Sequence, residues 1–405
     1  MKIRIHNWLV LGAIGAGLIP LFVLGLFGYM NATKKPLHPI VKDVPSVTLL
    51  TVRPEWADAV SQARQIARAG VAEQNLPGMS VAVAVGGEIV WAEGFGWADL
   101  DDKVKVTPDT RFRIGTASTA LTSAAAGLLI EQGKLKLDDE IRLYVAAYPK
   151  KQWPVTVRQV MGHTAGIRND GGDEGPLFSR QCQRAAEGLE GLDAFKTDQP
   201  RYEPGTQYSD SNYDWILVSA AIEAVAGEPF SRVMRKQVFE PLGMNDTRVE
   251  SGSEPVSDSA TSYFPKFAGD PRYGPDVMRP LSLSCYAGAS AFVSTPSDLV
   301  RFAMAIEHGK LLQRSTVKLL QTAQRLPSGA ETGYGLGWDL ETVEVNGKQT
   351  GIVGHDGNIL GGMAVSFITL PEYGISVAVT SNTSYAGTYD LAIKIANALR
   401  TFGPR

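Results

Sequence analysis

Cysteine and histidine are scarce in this chain. Its two cysteines, Cys182 and Cys285, lack the spacing of a metal site. A disulfide-built scaffold is thereby excluded, while a single bridge outside the cytoplasm and two buried thiols both stay open. The five histidines (His6, His38, His163, His308 and His355) form no pair at helical spacing, so neither a metal nor any other cofactor is expected. Charge of one sign is missing as well. Lys and Arg number 39 against 42 Asp and Glu, the net charge is −3, and no basic run stands out, which argues against nucleic acid as a partner. Internal repeats and low-complexity tracts are lacking too. What is there is 405 residues, 44% of them hydrophobic, enough for one large domain or two lobes.

One long hydrophobic run stands at the N-terminus. "MKIRIHNWLVLGAIGAGLIPLFVLGLFGYMNATKKP" opens with Lys2 and Arg4 and is apolar from Trp8 to Met30, long enough to span a bilayer. Ala32 is preceded at two residues by Met30 rather than by a small residue, so a cleavage site is poorly formed. Residues 1–32 therefore read as a transmembrane signal anchor, with a cleaved signal peptide as the second reading. Lys34 and Lys35 nearly balance the flanking charge. A short basic leader before one apolar span still predicts the domain on the extracytoplasmic, periplasmic side. A mitochondrial inner-membrane anchor would read similarly. Residues 33–53 hold Pro36, Pro39 and Pro45 and are expected to be a tether.

Residues 54–402 are expected to form the folded domain. The stretch 53–78 is an amphipathic helix with Trp56, Val60, Ala63, Ile66 and Ala67 on one side. "MSVAVAVGGEIVWAEGFGWAD" reads as a hairpin turning at Gly86-Gly87. "GGMAVSFITLPEYGISVAVTSN" repeats the theme around Pro371 to Gly374, and a helix, "AGTYDLAIKIANALR", follows. Strand-like runs at both ends predict one antiparallel sheet closed by the two termini. The middle, about 110–330, is helix-rich and irregular, and predicts a helical lobe inserted into an α/β (α+β) lobe, with a cleft between them.

"RFRIGTASTALTSAAAGLLIEQGKL" (111–135) is the stretch most informative about chemistry. After Thr116 it is small and apolar nearly all round and stops at Gly133, so the helix is buried. A hydroxyl at its head meets free N–H groups and the positive end of the dipole. That position suits a nucleophile whose own N–H helps to hold an oxyanion. A plain helix N-cap is the bland alternative.

Other stretches join it in a pattern: "VRQVMGHTAGI" (157–167), "EPGTQYSDSNYDWILVSAAIEAVAGEPF" (203–230), "FEPLGMNDT" (239–247), "YGLGW" (334–338) and "GIVGHDGNILGGMAVSF" (351–367). In this order and spacing the chain resembles the serine β-lactamase and penicillin-binding protein family, in its esterase-like, LACTB-like branch, from about residue 55 to 400. The resemblance implies a β-lactamase/transpeptidase-like fold, with an antiparallel sheet flanked by helices. It also implies three motifs: a Ser-x-x-Lys opening the buried helix, a Tyr-x-Asn on the helical lobe, and a Lys-Thr-Gly or His-x-Gly on the inner strand.

Carried over residue by residue, the first motif reads Thr116-Ala117-Ser118-Thr119, the second Asp210-Ser211-Asn212, and the third His355-Asp356-Gly357. The catalytic positions are thus Thr116, Thr119, Asp210 and His355, and the substrate-binding ones Asn212 and Gly357. Tyr208 falls in a slot for a buried aromatic. Ser118 lies about 200° round the helix from Thr116 and is expected to point into the core as a satisfied polar group. His163 is expected to stabilise its turn. Thr116 keeps a hydroxyl, but Thr119 is no base, and Asp210 is a poor one with a reference pKa of about 3.9. The expectation is a degenerate site, silent or strongly impaired, that binds a small-molecule or peptide ligand. The alternative is an ester or amide hydrolase with Thr116 as nucleophile and Asp210 or His355 as base. Residues 168–202 are expected to border the cleft.

Overall fold

Alternation of side chains builds the sheet. In "SVAVAV", Val81 and Val83 face one way and Ala82 and Ala84 the other, and all four are buried. The valines join one core cluster and the alanines a second. The strand is therefore covered on both faces. The computed structural model describes residues 19–32, 34–169, 191–250, 258–267, 269–278, 282–359 and 363–403. Its strands are β1 (Ser46–Thr48), β2 (Gly78–Val85), β3 (Glu88–Asp99), β4 (Val104–Lys105), β5 (Phe112–Arg113), β6 (Arg248–Val249), β7 (Tyr263–Pro265), β8 (Pro275–Val277), β9 (Phe292–Ser294), β10 (Asp339–Val345), β11 (Lys348–Ile359), β12 (Met363–Leu370) and β13 (Ile375–Ser381).

The main sheet runs β1-β3-β2-β13-β12-β11-β10, antiparallel throughout, with β4 paired to β3. Its middle joins the two ends of the domain: Val85 lies opposite Ile375, and Met79 opposite Ser381. The two expected hairpins are present, turning through left-handed Gly86 and Gly87 and through left-handed Gly374. Among the described residues, 106–338 lend no strand to this sheet, and their short strands form separate pairings, β5-β9-β6 and β7-β8. The result is an antiparallel sheet flanked by helices, as expected.

The longer helices are α1 (Ala57–Glu73), α2 (Ser118–Glu131), α3 (Asn212–Ala226), α4 (Pro296–Glu307) and α5 (Thr388–Phe402). Helices α1 and α5 pack on each other over the valine face, and α4 packs on β2 and β13. At the contact of α1 and α5, Gly70 leaves room for the Leu391 side chain: a Cβ there would lie 2.5 Å from Leu391 Cδ2. In the other core, α2 packs against α3. Helix α2 is buried from Ser118 to Gly127, as its all-round apolar sequence requires. Helix α3 ends at Gly227, which supplies the left-handed cap at φ 68°.

Residues 19–32 are helical, and Ile19, Leu21, Phe22, Leu24 and Phe27 are exposed. Among the described residues no helix is long and apolar enough to cross a membrane. The expected span begins in residues 1–18, outside the described residues. Most of 168–202 also lies outside them. Cys285 is disulfide-bonded; Cys182, the other cysteine of the chain, is not among the described residues.

Candidate active site

Gly115 turns the chain at φ 52°, and Gly115–Ala117 forms a 3-10 turn before α2 begins at Ser118. Thr116 is therefore not the helix N-cap; that residue is Ala117. Instead, the Thr116 hydroxyl donates to the backbone carbonyl of Asp356 on β11, 2.9 Å away. Gly357 allows this approach: a Cβ there would fall 2.2 Å from the Ile114 carbonyl oxygen and 3.1 Å from the Ala117 nitrogen. Ser118 is fully buried, as expected, but its hydroxyl has no hydrogen-bond partner. The expectation of a satisfied group fails there.

Thr119 is buried one turn further on. Its hydroxyl faces the phenol of Tyr334 without completing a hydrogen bond. Burial drives the Tyr334 phenol well above its ordinary range, and nearby Asp339 adds to this, so it is neutral and a donor. Its oxygen lies 3.3 Å from His355 Nε2. On the other side of that ring, Nδ1 is 2.6 Å from the Asp356 carbonyl and 3.6 Å from Asp339 Oδ2. A carbonyl can only accept, so Nδ1 carries a proton and Nε2 takes the Tyr334 hydrogen. One carbonyl, that of Asp356, thus receives both Thr116 and His355. The Asp356 side chain is exposed. The protein packed around its carboxyl nevertheless pushes it up to about 6, against the pull of the Ser366 hydroxyl.

Asp210 goes elsewhere. Its side chain is 63% exposed, and Oδ1 lies 3.1 Å from His163 Nε2. His163 is 2% exposed and Asp214, on α3, 1%; Nδ1 and Oδ2 are 2.7 Å apart. The Trp215 indole N–H comes within 3.3 Å of Nε2 and the Ser211 N–H within 3.3 Å of Nδ1. Burial opposes charge on the imidazole, but the Asp214 bond and carboxylate, with Asp210 and Asp339, outweigh it and raise His163. Burial also raises Asp214, to about 7, with His163 pulling the other way. His163 does hold a turn, at φ 56° and accepting from the Ser209 N–H at 2.9 Å. It is in addition a buried ion-pair partner.

Tyr208 is not the buried aromatic expected. It is 37% exposed, with its ring 6.1 Å from that of His163 and 6.0 Å from that of Tyr334. Asn212 opens α3; its backbone N–H reaches Asn169 Oδ1 at 3.3 Å, and its side-chain oxygen lies 3.4 Å from Ser290 Oγ.

Thr116, Thr119, His355 and Gly357 thus meet around β11 and Tyr334, while Asp210 belongs to the His163 cluster. Sequence reasoning missed Tyr334, Asp214 and Asp339. A signal for Asp214 was available, since it is a carboxylate near the start of an otherwise apolar, buried helix. Tyr334 stood in a quoted motif without a role. Among the described residues no group of three or more His, Cys, Asp or Glu side chains could hold a metal ion.

Comparison with known proteins bears on the family and the fold. A family model described as Beta-lactamase matches residues 63–401. The mitochondrial serine beta-lactamase-like protein LACTB of Homo sapiens is 25% identical over 84% of this chain and 80% of its own. Penicillin-binding protein 4* of Bacillus subtilis is 25% identical over 80% and 72%. The structure of D-amino acid amidase from Ochrobactrum anthropi in complex with D-phenylalanine superposes with a TM-score of 0.71 at 25% identity, covering 85% of this chain and 99% of that one.

Proposed function

Given that the chain belongs to the β-lactamase family, we propose that it is a relative with a strongly impaired acyl-transfer site, which acts by binding a small-molecule or peptide ligand. One observation carries this reading: the Thr116 hydroxyl is turned to a backbone carbonyl, and among the described residues no base is hydrogen-bonded to it. His355 Nε2 faces Tyr334, Asp210 faces His163, and Thr119 has no basic group. A hydroxyl without an adjacent base is a weak nucleophile, and general-base help is worth about 10²–10⁴ in rate. Asn212 and Gly357 retain the positions for holding a ligand. The apolar helix at residues 19–32, with its exposed side chains, supports attachment to a membrane and an extracytoplasmic domain; that domain takes in part of the expected tether, because β1 pairs with β3 in the main sheet.

The second reading is hydrolysis of an ester or amide with Thr116 as nucleophile. The preserved approach of Gly357 to the Ile114–Ala117 turn favours it, as does likeness to an amidase structure. Treatment of the full chain with a fluorophosphonate and with penicillin, followed by mass spectrometry, separates the two. The impaired site gives no adduct, and Thr116→Ser with Thr119→Lys and Asp210→Tyr gains one. An adduct on Thr116 that disappears in Thr116→Ala would sink the impaired-site reading. Since Thr119 is buried, Thr116→Ser alone is run beside the triple variant.

A further inference from the structure

Outside this site, a cavity of about 300 Å³ lies between residues 231–239 and β6. Arg232, Arg235 and Arg248 line it, with Phe239 and Val249. None of these residues belongs to the site around Thr116. The backbone here is unusual: Phe230–Met234 is α-helical, and Arg235–Phe239 widens into a π-helix, a rare device that recurs at functional sites. It continues the segment that presents Arg232 and Arg235, three residues apart, to the cavity that Arg248 reaches from β6.

The three guanidinium groups are exposed and poorly compensated. The carboxylate beside Arg235, that of Glu240, stands 3.6 Å away, too far for a hydrogen bond. Among the described residues Arg232 and Arg248 have no ion pair. Like charges gathered this way repel unless an anion joins them. Below them, Phe239 and Val249 are buried and apolar. The Thr247 hydroxyl is already engaged by Ser294 Oγ and Asp298 Oδ2, each at 2.8 Å, so polar recognition falls to the arginines, with the Ser231 hydroxyl beside them.

We propose that this pocket binds a phosphate monoester carrying a small apolar group. Guanidinium forks match phosphate oxygens two at a time, which an ammonium cannot do. A volume at the low end of ligand pockets limits the occupant to a small organic phosphate or the headgroup of a phosphatidate. The inference stands apart from any reading of the Thr116 site.

The test is calorimetric titration of the full chain, in a neutral detergent, with phenyl phosphate, benzyl alcohol, dihexanoyl phosphatidate and dihexanoyl phosphatidylcholine. Phenyl phosphate should bind saturably, and benzyl alcohol and the phosphatidylcholine should not. Arg232→Gln with Arg248→Gln should weaken binding about tenfold or more, with the melting temperature unchanged because both side chains are exposed. Tighter binding of the phosphatidate than of phenyl phosphate assigns a lipid source, and weaker binding a soluble ester. Absence of saturable phosphate binding, equal binding of the neutral alcohol, or affinity unmoved in the double variant overturns the proposal.

Discussion

Around Thr116 the site is held by backbone. Gly357 lets β11 press on the Ile114–Ala117 turn, and the hydroxyl of Thr116 and the imidazole of His355 both end on one backbone carbonyl. Around His163 it is held by charge. A histidine and two carboxylates, two of the three groups almost fully buried, lock the start of α3 to the turn before it. Tyr334 touches both regions, with ring centroids 6.0 Å from His355 and 4.9 Å from His163. The contrast teaches where each property resides. Shape depends on close backbone approach and survives a change of side chain at positions 116 and 119. Proton chemistry depends on the side chains themselves, and on the proposed reading it does not survive it.

The sharpest way to break the charged region is to remove its cation. His163→Leu leaves Asp214 buried beside no positive group, a situation that costs about 3–5 kcal/mol. Chemical denaturation should read a loss of that size. Asp210→Asn serves as the contrast: Asp210 is mostly exposed, so its loss should cost under about 1 kcal/mol. Equal losses for the two would mean that the cluster is not organised around Asp214. The backbone-held region is tested by Gly357→Ala, whose methyl must push on the Ile114 carbonyl from 2.2 Å. Overpacking of this kind costs about 3 kcal/mol, read as a shift of the denaturation midpoint. A neutral outcome would show that the turn and β11 can separate freely.

The same contrast explains what the sequence let one read. The sheet, the two hairpins, α2 and the glycine stops at 133 and 227 follow from periodicity and turn chemistry, which are local. Thr116, His355 and Gly357 could be placed on one site because motif order carries over even when residue types change. The hydrogen-bond partners could not be foreseen. That Thr116 would turn to a carbonyl rather than cap α2 depends on β11, 240 residues later. That Asp210 would face His163 depends on a left-handed turn at 163. Tyr208 escaped prediction because its ring neighbours, His163 and Tyr334, are distant in sequence.

pH separates the regions at intermediate scale. Asp214 is raised from 3.8 to about 7, and His163 is raised above 6.5. The folded chain therefore binds more protons than the unfolded one over this range. Stability from the pair is complete below about pH 4 and is lost as pH rises through 7 and the raised histidine value. In Asp214→Asn the carboxyl no longer titrates and His163 loses the partner that raised it. The decline between pH 4 and 8 should flatten by on the order of 4 kcal/mol, at about 1.4 kcal/mol for each unit of the Asp214 shift, measured from urea midpoints at each pH. A steeper decline would reverse the assignment.

The smallest effect expected is Thr116→Val. It removes one donor and keeps the shape, and the Asp356 carbonyl retains its contact with His355 Nδ1. The accepting oxygen is thus not left bare, and the loss should be about 0.5–1 kcal/mol, the net worth of one hydrogen bond. The measurement is the urea midpoint against Thr116→Ser, which keeps the hydroxyl. A loss above about 2 kcal/mol would mean that the hydroxyl, and not Gly357, fastens β11 to the turn. The distinction between a backbone-held region and a side-chain-held one would then fail at its most exposed point, because the residue in the nucleophile position would itself be structural.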